Sequence, residues 1–220
     1  MKTIKVIITG TTGMVGEGVL HECLLNDKVS EILSISRKDC GVTHPKFKQI
    51  LIPDFFDLLN VENELKRYDT CFFCLGSTSI GITEEEYTRF TYNLTLHFAK
   101  TLAAKNPNMV FSYISGYGTD STEKGKSMWA RVKGKTENDL MKLPFRQVFN
   151  FRPSYLHPTK GLKNTLGFYK WIKWVYPFMR FLAPQWACTL KELGLAMINS
   201  AINGYDKKII EVKDIVKLAK

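Results

Sequence analysis

The sequence predicts an α/β chain, a doubly wound parallel sheet with a small, mostly helical C-terminal lobe, and three observations carry that expectation. Short β-branched runs alternate with stretches of helical spacing from residue 5 to about residue 152, the pattern of parallel strands joined by crossover helices. The first run, Lys5 to Thr9, leads straight into glycines at 10, 13 and 16. Residues 161–186 then break the alternation with a dense aromatic and basic stretch. A chain of 220 residues with 45% hydrophobic content can bury one sizeable core. Residues 1–220 therefore read as a single domain to which 154–205 contributes a lobe.

Taken in order, Lys5 to Thr9 suits a buried parallel strand, and the run after Gly16 places Val19, Leu20, Cys23 and Leu24 on one helical face. The turn between them, Gly10-Thr11-Thr12-Gly13-Met14-Val15-Gly16, has the context of a dinucleotide site. Gly10 permits a sharp exit from the strand, Gly13 lets a diphosphate reach the helix N-terminus, and Gly16 lets the helix pack tightly. A second strand, Glu31 to Ser36, ends in Arg37 and Lys38. At that position an acid would bind the ribose hydroxyls of NAD, whereas these cations would neutralise a 2′-phosphate. NADP is the expected cofactor, with NAD the alternative and two ordinary surface cations the bland reading.

A third strand, Phe47 to Ile52, ends in Pro53-Asp54-Phe55. Asp54 is placed either to accept from an adenine amino group, with Phe55 flanking the ring, or to cap a helix over residues 57–67. The fourth strand, Thr70 to Leu75, runs into Gly76 and Ser77, where backbone can again approach a ligand. A long helix is expected over 84–106, a fifth strand over 110–115, a glycine-containing loop over 116–121, a helix over 129–143 and a sixth strand over 147–152, stopped by Pro153. Farther on, residues 190–202 have amphipathic helical spacing, Gly204 ends that helix, and 208–212 reads as a last strand before a short terminal helix.

Net charge and cysteines narrow the class. A balance of +10 is compatible with nucleic acid, an anionic membrane or a polyanionic cofactor. The cations are spread without a long run and without a nucleic-acid-binding pattern, so no nucleic-acid partner is expected. Five cysteines without regular spacing fit a reducing compartment. Cys71 and Cys74 lie in a strand-like run that turns them to opposite faces, so buried thiols are expected rather than a metal or redox pair. With no stretch long enough to span a membrane and a strand starting right after Met1, a cytoplasmic protein is expected. Residues 163–181 mix aromatic and basic side chains, with Phe168, Trp171, Ile172 and Val175 on one helical face. Packing inside the protein or at a homodimer interface is the expected use, and an anionic membrane surface is the alternative.

Thr9-Gly10-x-x-Gly13-x-x-Gly16, Cys74-Leu75-Gly76-Ser77, Ser115, Val132-Lys133-Gly134 and Phe151-Arg152-Pro153 together resemble the atypical short-chain dehydrogenase/reductases of the NAD(P)-dependent epimerase/dehydratase-like group, and within it the Tat-interacting oxidoreductase-like branch. The resemblance runs from Lys5 to about Lys217. It implies a Rossmann fold that binds NAD(P) through Gly10, Thr12, Gly13, Met14, Val15, Gly16, Arg37, Lys38, Asp54, Phe55, Leu75, Gly76, Ser77, Lys133 and Pro153. It also implies a serine after the fifth strand, matched by Ser115, and a Tyr-x-x-x-Lys on the next helix.

Lys133 matches the lysine of that pair, but the tyrosine position is Trp129. An indole N–H donates a hydrogen bond and does not titrate near neutral pH. Ser115, Lys133 and Tyr117 are thus the catalytic candidates, with Tyr155 a further hydroxyl. The substrate would be a small carbonyl or alcohol. The competing reading is a non-catalytic NADP(H)-sensing or binding protein.

Overall fold

Alternation within β1 (Ile4–Thr9) sends Ile4, Val6 and Ile8 into one core and Ile7 into another, and this two-sidedness sets the architecture. The structure, a computed structural model, describes residues 3–164, 176 and 184–220. Among them β1, β2 (Val29–Ser36), β3 (Phe47–Leu51), β4 (Thr70–Phe73), β5 (Val110–Ile114), β6 (Gln147–Arg152) and a late strand form one parallel sheet. The late strand is β9 (Ile209–Glu211), and the order is β3-β2-β1-β4-β5-β6-β9. Strand order reverses between β1 and β4, the crevice where such sheets bind ligands.

Helix α1 (Met14–Leu25) packs Val19, Leu20 and Cys23 on one face of the sheet beside α5 (Leu190–Asn203) and α6 (Val212–Leu218). Helices α2 (Glu84–Thr88), α3 (Leu94–Lys105) and α4 (Met128–Leu140) lie on the other face. The helix expected over 84–106 is interrupted only by one π-turn, Arg89–Asn93, and starts with a capping box between Thr83 and Glu86. Cys71 and Cys74 pack on opposite faces of the sheet, and all five cysteines are free thiols. No helix of the described residues is long and apolar enough to cross a membrane.

Two features differ from the sequence reading. The helix expected over 57–67 is a single 3₁₀ turn, Leu59–Val61, followed by turns. The carboxylates of Asp54 and Asp57 accept from the amides of Phe56 and Leu59, offering the backbone local partners in place of helical ones. Leu58, Val61 and Leu65 anchor these turns in the core, and Arg67 leaves them at φ 70. The second difference is a parallel ribbon of β7 (Tyr155–His157) and β8 (Ala187–Thr189) inside the 154–205 region, each strand too short for its period to show. The helical face of Phe168, Trp171, Ile172 and Val175 lies outside the described residues. The described end of that region, α5, packs directly on α1, with Leu190 against Gly18 and Glu22 against Gly194.

Candidate functional site

The turn after β1 is built by backbone. Gly10 sits at φ 73, and a Cβ there would fall 2.6 Å from the carbonyl oxygen of Cys74. A Cβ on Gly16 would fall 2.1 Å from the carbonyl oxygen of Gly10, so helix and turn touch through bare backbone. The Gly13 amide donates to Gly10 O at 2.9 Å, and Thr11 Oγ1 shares a 2.8 Å hydrogen bond with Ser34 Oγ that fixes the turn on β2. Gly13 caps α1 without a side chain, leaving the first-turn amides around Met14, Val15 and Gly16 as the natural seat for an anion.

From this turn a cavity of about 640 Å³ extends past Gly10 and Thr12 to Ser36, Arg37 and Lys38, with Phe55 and Leu75 on its walls. The loop carrying the two cations is shaped by a small polar net. Ser36 Oγ donates to the Lys38 carbonyl at 2.8 Å, while Gln49 Nε2 donates to Ser36 Oγ at 2.6 Å and to the Lys38 carbonyl at 3.2 Å. A second cavity of about 290 Å³ shares Arg37, Phe55 and Leu75 with the first and adds Asp54, Gly76 and Ser77. Nine of the expected cofactor residues therefore line one or both of two adjoining spaces. Asp54 faces the second of them and caps no helix, since the expected helix is absent.

The expected catalytic residues lie at the end of β5. Ser115 is buried, its N–H donating to Phe151 O at 2.9 Å and its Oγ to the same oxygen at 3.1 Å. Lys133, on α4, donates its Nζ to the Ser115 carbonyl. The Tyr117 amide donates to Pro153 O at 2.8 Å, which ties Pro153 to the same loop. The Tyr117 ring is 45% exposed, and its centroid lies 4.6 Å from that of the Trp186 ring. Trp129 fills the tyrosine position with an indole packed over Gly118, where a Cβ would come within 3.4 Å of it. Burial pushes the Tyr155 hydroxyl up from its ordinary range.

Burial lowers the Lys133 ammonium to about 8, opposed by the carboxylate of Glu137 one turn along α4. The folded state gives up this proton near pH 8 and the unfolded chain near 10.5, so the buried cation costs stability throughout the range below 8, and stability rises with pH between the two values. Lys133→Met is thus expected to raise the unfolding free energy of the nucleotide-free protein at pH 7 by roughly 1–3 kcal/mol. The gain should shrink as pH rises through 8 toward 10.5, read by urea unfolding at each pH. A Met variant less stable than wild type at pH 7 would contradict it.

Two elements of the site were not read from sequence. Glu137 and Arg152 form a forked ion pair, Nε to Oε1 at 3.0 Å and Nη2 to Oε2 at 2.5 Å, with the Glu137 side chain wholly buried. The carboxylate of Glu17 binds the backbone of Lys163 and Asn164, a contact spanning 146 residues of sequence.

No family model matches the chain. It is 24% identical over 170 residues to Protein FMP52-1, mitochondrial, of Scheffersomyces stipitis, covering 74% of each chain. It is 25% identical over 158 residues to Protein HTATIP2 of Rattus norvegicus, covering 71% of this chain and 64% of that one. Among solved structures it is similar to a UDP-N-acetylglucosamine 4-epimerase from Methanobrevibacter ruminantium in complex with UDP-N-acetylmuramic acid, with a TM-score of 0.67 and 17% identity, covering 96% of this chain and 76% of that one. It is also similar to a short chain dehydrogenase from Burkholderia cenocepacia in complex with NADP, with a TM-score of 0.66 and 13% identity, covering 98% and 92%. The glycine turn, the strand order and these likenesses agree: the chain has the doubly wound Rossmann fold that these epimerase and short-chain dehydrogenase structures share.

Proposed function

We propose that this chain binds NADP(H) across the two adjoining cavities and acts as an oxidoreductase or epimerase-like protein on a small carbonyl or alcohol. The observation that carries the reading is the cavity that begins at Gly10 and Thr12 and ends at Arg37 and Lys38. Its glycine end leaves room for a diphosphate on the α1 start, and its far end offers two cations to a 2′-phosphate. Asp39 also lines that end, but its Oδ1 is engaged by the Gly41 amide at 2.8 Å. When bound, the nicotinamide supplies or takes up hydride. The chain's own part is to hold the dinucleotide, to fix Ser115 through β6, and to present the Lys133 ammonium beside the Ser115 carbonyl.

Trp129, an indole packed over Gly118 where the resemblance puts a tyrosine, favours a second reading, in which NADP(H) is bound and not turned over. NADPH oxidation against a panel of carbonyl compounds, with Lys133→Ala and Tyr117→Phe beside wild type, separates the two. Turnover lost in Lys133→Ala supports the enzyme. Tight binding without turnover supports the sensor. For the cofactor itself, calorimetry should give NADPH a lower Kd than NADH, and Arg37→Ala should raise the NADPH Kd about 10-fold or more while changing the NADH value little. Equal weakening of both would remove the 2′-phosphate assignment.

The partner is taken to be a small-molecule substrate or none, not nucleic acid, with a homodimer as the assembly to test by light scattering. Liposome co-sedimentation tests the alternative membrane role of 163–181. A cytoplasmic address is proposed, and cell fractionation tests it against the mitochondrial one that the FMP52 relative carries in its name.

A further inference from the structure

We infer that Lys163 is a third cation for the 2′-phosphate of NADP(H) and that Glu17 is the residue that positions it. The inference rests on the NADP(H) reading above and adds to it a specificity residue from a distant part of the chain. Lys163 and Asn164 line the same cavity as Arg37 and Lys38. The Lys163 ammonium lies over the loop that follows β2, with Nζ 3.9 Å from where a Gly41 Cβ would stand.

A lysine on an exposed segment would ordinarily be free to leave. Here the backbone is fixed: the amide of Lys163 donates to Glu17 Oε1 and that of Asn164 to Oε2, each at 2.7 Å. A carboxylate receiving two amides is a forked, charge-assisted anchor. It belongs to the first turn of α1, the same turn that would seat the diphosphate. Leu162, the residue before, packs against the core below. One helix start therefore sets both where the diphosphate lies and where the Lys163 side chain begins. The cavity lining then carries Arg37, Lys38 and Lys163 and one carboxylate, that of Asp39, whose Oδ1 accepts from the Gly41 amide, while the Glu17 carboxylate is spent on the Lys163 and Asn164 amides behind it. That balance suits a dianion in the region of an adenosine 2′-position better than it suits a bare ribose.

The test is calorimetry on the full chain with adenosine 2′,5′-bisphosphate and adenosine 5′-monophosphate as probes, beside NADPH and NADH. Lys163→Gln is expected to weaken the bisphosphate and NADPH about 10-fold and to leave the monophosphate and NADH within 2-fold. Glu17→Ala should reproduce that selective loss, Glu17→Gln should fall between, and the double variant should lose no more than Lys163→Gln alone. A Lys163→Gln protein whose preference for the 2′-phosphate is intact, or which weakens all four probes alike, overturns the role of Lys163. A Glu17→Ala protein with full preference overturns the positioning. If wild type binds neither dinucleotide, the proposed function itself falls. If it binds both without preference, this inference falls and dinucleotide binding stands.

Discussion

Gly16→Ala is expected to raise the NADPH Kd by about 100-fold and to lower the unfolding free energy by about 1–3 kcal/mol. The new methyl would sit 2.1 Å from Gly10 O, 2.4 Å from Gly10 C and 2.9 Å from Thr11 N. All three are backbone atoms, so none can rotate out of the way. The helix start and the turn must separate by roughly 1 Å, and a displacement of that size is enough to spoil a site that works by close approach. Gly13→Ala is the informative contrast. Gly13 has φ −107 and ψ 162, which alanine adopts without strain, and an added Cβ meets only Gly10 O at 3.4 Å. That variant should keep its stability within about 0.5 kcal/mol and still bind NADPH more weakly, because a methyl at the cap crowds the helix start proposed to take the diphosphate. Thermal denaturation and calorimetry on the two variants separate a broken turn from a blocked one. Undiminished NADPH binding in Gly16→Ala would mean that the turn is not the site.

The same turn explains what sequence alone could reveal. A β-branched run followed by glycines at 10, 13 and 16 is a local pattern whose meaning is steric, and the doubly wound order followed from the alternation of periods. Arg37 and Lys38 were readable because their place at the end of a strand fixes where they stand. The turns at 54–67 were misread because Asp54 and Asp57 satisfy local amides, a competition that hydrophobic spacing does not record. Strands of three residues, β7 and β8, have no period to read. The Glu17 contact to residues 163 and 164 is invisible in principle to local reasoning, since neither end signals its partner. At position 129 the sequence registered the loss of the tyrosine. That the indole would lie on Gly118, and that the Tyr117 ring would turn to Trp186, is tertiary packing.

Arg152→Met is expected to cost about 3–5 kcal/mol of stability, the larger folding effect of the two. The Glu137 side chain is wholly buried and the Arg152 side chain is 11% exposed, so removing the guanidinium strands a carboxylate in the core. The pair does more than neutralise itself. Arg152 Nη2 also donates to Ser121 Oγ at 2.6 Å, and Nη1 lies 3.7 Å from Glu211 Oε1, so one side chain joins the loop after β5, helix α4, strand β6 and strand β9. Arg152 stands between Phe151, which accepts from Ser115, and Pro153, which accepts from the Tyr117 amide. Loosening it should therefore also blur the placement of Lys133 on α4. Adding Glu137→Met to Arg152→Met should recover most of the lost stability, since an apolar pair of similar size removes the unpaired charge. It should not recover whatever binding depends on the loop from Ser115 to Ser121, because the link to Ser121 goes with the guanidinium. Urea unfolding of the two single variants and the double variant measures the coupling directly. Strict additivity of the two losses would show that the ion pair is not what holds α4 on β6.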